Sequence, residues 1–119
     1  MTPPEPPIVL LVCGGRDFAD DEGLCHALDK THQDYNVGIL VTGGAAGADK
    51  LAGIWARDRR IPTAVVAPYW EYGRSAGPVR NRAMLLLRPS LVVAFPGGRG
   101  TEDMVTAARA AGIRVNVWS

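Results

Sequence analysis

The sequence predicts a single three-layer α/β domain: a mostly parallel five-stranded sheet with helices on both faces. Strand-like and helix-like stretches alternate five times with short connections, the pattern of a parallel sheet joined by right-handed crossovers. The first such strand, Ile8 to Cys13, is apolar throughout, as expected where both faces are covered. Glycine-rich turns then stand at the carboxyl ends of three predicted strands: Gly14-Gly15, Gly43-Gly44 with Gly47, and Gly97-Gly98 with Gly100. Ligands of such sheets bind beyond those ends, where the strand order reverses.

Length and composition fit that architecture. A chain of 119 residues, 47% hydrophobic and 21% charged, suits one domain with a core of its own. Its net charge of +1 gives no global reason to expect nucleic acid. Two cysteines, Cys13 and Cys25, are too few for a disulfide framework or a cysteine-based metal cluster and suit a reducing cytoplasm. Residues 1–7 read as a proline-rich extended tail, without the basic start of a secretory leader, and the apolar run after them is too short to span a bilayer. The domain proper is expected over 8–119.

After the first strand, Asp20 and Asp21 mark a helix N-terminus and Leu24, Ala27 and Leu28 its inward stripe. Val37 to Thr42 is the second strand. The next helix places Ala48, Leu51, Ala52, Trp55 and Ala56 on one face and ends near Ile61-Pro62. A third strand over Thr63 to Ala67 leads into a polar and aromatic connection, Pro68 to Gly77. Pro78 is expected to open a third helix, where its missing N–H costs nothing, and Pro89 follows its end near Leu87. Leu91 to Phe95, Thr101 to Ala111 and Ile113 to Val117 complete the alternation as strand, helix and strand.

The stretch Val92 to Thr101 reads as a buried strand that stops at Pro96 and turns through Gly97, Gly98 and Gly100 into a helix. Glycines let backbone N–H groups approach a ligand, and the helix dipole points its positive end at the same place. A phosphate cradle formed by Pro96, Gly97, Gly98, Gly100 and Thr101 is the functional reading; an ordinary strand-to-helix turn is the plain one. Arg80, expected in the first turn of its helix with Asn81 beside it, either clamps a phosphate bidentately or pairs with a surface carboxylate. Tyr72 or Trp70 either stacks on a base or covers the core.

The remaining polar residues divide in the same way. Asp17 holds a ribose hydroxyl, orients Arg16 or caps its turn. Asp49 caps free N–H groups or touches ligand. Glu102 and Asp103 complement the helix dipole or act on a sugar. His26 and His32 read as surface residues, and Cys13 as a buried thiol facing the pocket. No metal site, Walker motif or serine-hydrolase elbow is present in the sequence.

Four segments in this order resemble a YspA-type member of the SLOG superfamily: Gly14-Gly15-Arg16-Asp17-Phe18, Thr42-Gly43-Gly44-Ala45-Ala46-Gly47-Ala48-Asp49, Gly77-Pro78-Val79-Arg80-Asn81 and Phe95-Pro96-Gly97-Gly98-Arg99-Gly100-Thr101. That superfamily also holds the Lonely Guy phosphoribohydrolases and DNA-processing protein A. The resemblance implies a Rossmann-like sheet in the order 3-2-1-4-5 and a homodimer, which nothing in the residues themselves demands. It leads to binding of a nucleotide or nucleotide-derived ligand, phosphoribosyl or ADP-ribose-like, as sensor or carrier with no required cofactor. Gly14, Gly15, Arg16, Gly43, Gly44 and Asp49 would line the ribose and base side.

Lonely Guy enzymes split a nucleoside monophosphate into base and ribose 5-phosphate, and their hallmark is Pro-Gly-Gly-x-Gly-Thr-x-x-Glu with an upstream arginine. Here the match runs from Pro96 to Thr101 and Arg80 stands for the arginine, but Met104 occupies the glutamate position. Methionine cannot carry a proton, so hydrolysis would need Glu102 or Asp103 as a relocated acid beside Arg80. Pro78-Val79-Arg80-Asn81-Arg82 is also similar to a run in DNA-processing protein A, which implies a single-stranded DNA track over Arg74, Arg80, Arg82 and Arg88. That reading ranks below the other two.

Overall fold

The computed structural model describes residues 6–118. Most of the proline-rich stretch, 1–5, lies outside them. Five strands form one parallel sheet: β1 (Ile8–Cys13), β2 (Val37–Thr42), β3 (Thr63–Val65), β4 (Leu91–Ala94) and β5 (Arg114–Val117). Their order is β3-β2-β1-β4-β5, so the chain moves outward from β1 in one direction, then returns and continues in the other. Strand order reverses between β1 and β4, which pair from Leu10 with Leu91 to Cys13 with Ala94.

Four α-helices complete the layers: α1 (Asp21–Tyr35), α2 (Ala48–Asp58), α3 (Ala76–Leu85) and α4 (Arg99–Ala110). The alternation of side chains along each strand sorts the core. Leu10, Val12, Leu40, Val93 and Phe95 pack with Leu24, Leu28, Ala52 and Trp55 from α1 and α2. Leu11, Cys13, Val41, Val92 and Ala94 pack with Met84 from α3 and Met104 and Ala108 from α4. Asp20 caps α1 by accepting a 3.0 Å hydrogen bond from the Gly23 N–H, as its position before the apolar stripe predicts.

The structure differs from the sequence reading at the starts of two helices and the end of one strand. A 3₁₀ stretch over Trp70–Ser75, interrupted at Gly73 (φ 62°), feeds directly into α3, which begins at Ala76. Pro78 therefore sits inside the first turn, where an N–H still has no intrahelical partner. Helix α4 begins at Arg99, two residues ahead of the expected Thr101, because the Glu102 N–H already closes on the Gly98 carbonyl at 3.0 Å. Gly100 is thus a helical residue. Strand β3 stops at Val65 rather than Ala67, where its partner β2 ends at Thr42. Among the described residues, no helix is long and apolar enough to cross a membrane.

His32 departs from its expected surface role. Its Nδ1 accepts a 2.9 Å hydrogen bond from the Val37 N–H, and its ring meets Trp55 edge-on at 6.0 Å. The imidazole caps the turn between α1 and β2 because Asn36, in the left-handed region at φ 57°, brings that N–H back over the helix end.

Candidate ligand-binding site

At the carboxyl ends of β1 and β4 the loops interlock before they open. The Phe95 N–H donates to the Cys13 carbonyl at 2.9 Å and the Gly15 N–H to the Pro96 carbonyl at 2.8 Å, extending the ladder beyond the strands. This contact requires glycine: a Cβ on Gly97 would stand 2.6 Å from the Gly15 nitrogen and would also collide with the Thr101 hydroxyl. Behind the loop, Phe95 packs against Phe18 and Trp118 at 5.2 and 5.5 Å between ring centres. Pro96 and Gly97 consequently line a shallow groove on the far side of α4, with Glu102, and not the cavity. Gly98 and Gly100, around which a Cβ would meet nothing, face open space.

The cavity at this rim measures about 310 Å³ and is enclosed by all three glycine-rich turns and by α3. Of the residues expected at a ligand site, Gly14, Gly15, Arg16, Gly43, Asp49, Arg80, Asn81, Gly98, Gly100 and Thr101 converge on it. Several expected residues do not. Asp17 is exposed outside the lining, and Gly44 lines a neighbouring cavity. Tyr72 meets Tyr69 edge-on at 5.4 Å between ring centres and does not line the cavity. Val12, Cys13, Ala45, Trp70, Gly77 and Met84 also line it, and of these the sequence singled out Cys13, as a thiol facing the pocket, and Trp70.

Arg80 is half-buried one turn into α3. Its Nη1 donates to the Gly43 carbonyl at 3.2 Å and its Nε to the Asn81 side-chain oxygen at 3.0 Å. These two bonds fix the guanidinium plane and leave the rest of its five N–H donors for the cavity. Burial lowers its pKa, yet a guanidinium remains charged. Asp49 comes from the first turn of α2 and is 7% exposed. One of its oxygens accepts from the Ala45 N–H at 3.2 Å, so it staples the second glycine turn while lining the cavity. Burial pushes its pKa up, and the Ala45 amide and the Arg80 charge only partly offset this. Both side chains abut Gly43, where a Cβ would stand 2.6 Å from the Arg80 Cζ and 3.1 Å from the Asp49 Oδ2.

Asn81 is buried and bridges the two helices that flank the cavity. Its Nδ2 donates to the Gly100 carbonyl at 3.2 Å and to Asp103 Oδ2 at 2.9 Å. Arg82 reaches the same carboxylate at 2.9 Å. Burial raises the pKa of Asp103, but the hydrogen bonds from Arg82 and Asn81 outweigh it and hold the carboxyl below its ordinary value. Asp103 is a helix-to-helix tie and lies outside the cavity lining, as does Glu102. Met104 is fully buried in the core between α4 and the sheet. Neither Glu102 nor Asp103, the expected relocated acids, lines the cavity, nor does Met104 at the family's glutamate position; among the described residues the carboxylate that does is Asp49.

Cys13 lines the cavity floor, where burial, and after it the charge of Asp49, push its thiol up to about 12, far from thiolate chemistry at neutral pH. The four arginines of the expected DNA track have different surroundings. Arg80 turns into the cavity, Arg82 is engaged by Asp103, and Arg74 and Arg88 flank opposite ends of α3.

With this geometry in view, the relationships of the chain are informative. The profile of the YspA, cpYpsA-related SLOG family matches residues 8–73. The chain belongs to that family. It is 36% identical over 115 residues to the Gene 61 protein of Mycobacterium phage D29, covering 89% of this chain and 92% of the phage protein. Among solved structures, the Moco Carrier Protein of Chlamydomonas reinhardtii has the same fold, with a TM-score of 0.69 and 23% identity, over 94% of this chain and 76% of that one. MurG of Acinetobacter baumannii superposes over 93% of this chain but only 34% of its own, with a TM-score of 0.55 and 18% identity.

Proposed function

We propose that the domain is a small-molecule binder whose cavity takes a phosphorylated, nucleotide-derived ligand, as a sensor or carrier. The observation that carries this reading is the convergence of an oriented arginine, Arg80, an uncapped helix N-terminus at Gly98, and a buried carboxylate, Asp49, on one cavity at the strand-order reversal. The amides of the first turn of α4 and the free N–H groups of Arg80 suit a phosphoryl oxygen cluster. Asp49 supplies an acceptor for ligand hydroxyls. Membership of a SLOG family supports the reading, as does the likeness in fold to a protein described as a Moco carrier.

Isothermal titration with AMP and with ribose 5-phosphate tests it. Arg80→Ala is expected to weaken both about 10- to 100-fold, the range of a hydrogen bond to a charged partner. Arg80→Lys is expected not to restore them, since an ammonium lacks the planar fork. Equal affinity in wild type and Arg80→Ala would remove the arginine from the site. Incubation with AMP is expected to return it intact, because no carboxylate stands where the phosphoribohydrolases carry theirs.

A further inference from the structure

We infer that the cavity is one chamber of a two-chamber site, and that the second, over the carboxyl ends of β2 and β3, receives the planar base of the ligand against Trp70. This rests on the reading of the first chamber as the phosphoryl and sugar site. The second cavity, of about 330 Å³, is continuous with the first: Arg16, Gly43, Ala45, Trp70 and Arg80 line both. Beyond that seam its walls are the backbone of Gly44 and Ala46 and the side chains of Val65, Ala67 and Pro68.

The two chambers differ in chemistry. The first carries Asp49, Asn81 and the start of α4. Among the described residues the second holds no titratable group except the two seam arginines, and its apolar walls are open to solvent: Val65 is 58% exposed and Trp70 61%. A large aromatic ring left in water is not accounted for by the core, and no residue of the Trp70–Ser75 stretch is buried. Instead the Arg16 guanidinium lies over the indole, 5.9 Å from the ring centre, a cation–π contact between the chambers. Flat cationic and aromatic groups at the seam of an apolar slot are the features that bind a heteroaromatic ring by its face. Among the described residues the far end of this slot carries no charged side chain to meet a second phosphate, so the ligand class the slot favours is a nucleoside phosphate with its phosphates at one end.

Comparing AMP with ribose 5-phosphate, which lacks the base, separates the two ideas. Trp70→Ala is expected to weaken AMP about 10- to 100-fold, as loss of one base–aromatic stack does, and to weaken ribose 5-phosphate much less, since Trp70 also borders the first chamber. Trp70→Phe is expected to retain most of the AMP affinity. Ala67→Phe, at an exposed position in the second chamber, is expected to produce the same selective loss by filling the slot, with Trp70 untouched. Equal loss of both ligands in Trp70→Ala would overturn the proposal, since the indole would then act only by holding Arg16. Wild-type protein that binds AMP no more tightly than ribose 5-phosphate would overturn it too, and leave the first chamber standing. If wild-type protein bound neither, the reading of the first chamber would fall and this one with it.

Discussion

The two faces of the sheet receive alternate residues of the same strands, yet they are finished differently. On the face covered by α1 and α2, Leu24, Leu28, Ala52 and Trp55 close over Leu10, Val12 and Leu40, and Phe18 and Trp118 seal the rim around Phe95. On the face covered by α3 and α4, a smaller cluster around Met84, Met104 and Ala108 reaches the carboxyl rim only through Cys13 and Ala94. There Cys13 and Met84 pass from core to cavity wall, and Arg80 and Asn81 replace apolar side chains on α3. The contrast teaches a division of labour. Packing on the first face carries stability, and thinner packing on the second leaves room for a polar site without opening the core.

The largest expected effect tests the first half of that statement. Trp55 is 1% exposed, and its indole N–H donates to Asp29 at 2.8 Å. Trp55→Ala should cost about 3–5 kcal/mol, as large-to-small changes of buried aromatics do. Urea unfolding would measure it, and the fraction that remains folded should bind AMP as the wild type does. A loss well under that range would mean the two faces contribute comparably.

Gly97→Ala comes next, because it strikes the seam where the faces meet. The added methyl presses on the Gly15 nitrogen and the Thr101 hydroxyl, a local overpacking worth about 1–3 kcal/mol. Since Gly15 and Thr101 also line the cavity, affinity for AMP should fall together with the unfolding midpoint. Loss of stability with unchanged affinity would show that the interlocked loops are scaffold alone.

How much of this could be read from the chain differs between the same two regions. Strands and their buried character were legible because a continuous apolar, β-branched run such as Ile8 to Cys13, closed by glycines, belongs between two covering layers. Val37–Thr42 matches residue for residue. The glycine turns announced the rim, but not their own division of labour. Nothing in the string Pro96-Gly97-Gly98 says that Gly97 is occupied by Gly15 while Gly98 faces outward, since that depends on a loop more than eighty residues earlier in the chain. Glu102 and Asp103 illustrate the same limit. Their place at a helix start was readable, but adjacent helical positions point about 100° apart, and the partners Asn81 and Arg82 come from another helix. Asp49 looked like a helix cap, but its side chain holds the Ala45 N–H in the turn before α2 and no helix N–H; its place as the cavity's carboxylate goes with the reach of Arg80 across to Gly43.

The smallest expected effect concerns that carboxylate and the pH dependence it imposes. Burial raises the Asp49 pKa above its unfolded value of 3.8, so the folded state holds this proton more tightly than the unfolded chain. Linkage then fixes the sign: the group favours folding most below the unfolded value, and that contribution is lost as pH rises through the folded one. At neutral pH the buried charge is a cost, partly met by the Ala45 amide and by Arg80. Asp49→Asn keeps an oxygen for the Ala45 N–H and removes the charge. Relative to wild type, the variant should therefore gain stability between about pH 4 and about pH 7, while carboxylates elsewhere cancel in the difference. Urea midpoints of both proteins at the two pH values give the answer. A difference that stays flat would mean that Asp49 titrates as it does in the unfolded chain. A difference that moves the other way would mean that Arg80 stabilises the carboxylate more than burial opposes it, making the site an ion pair and not a carboxylate held at a cost for its ligand.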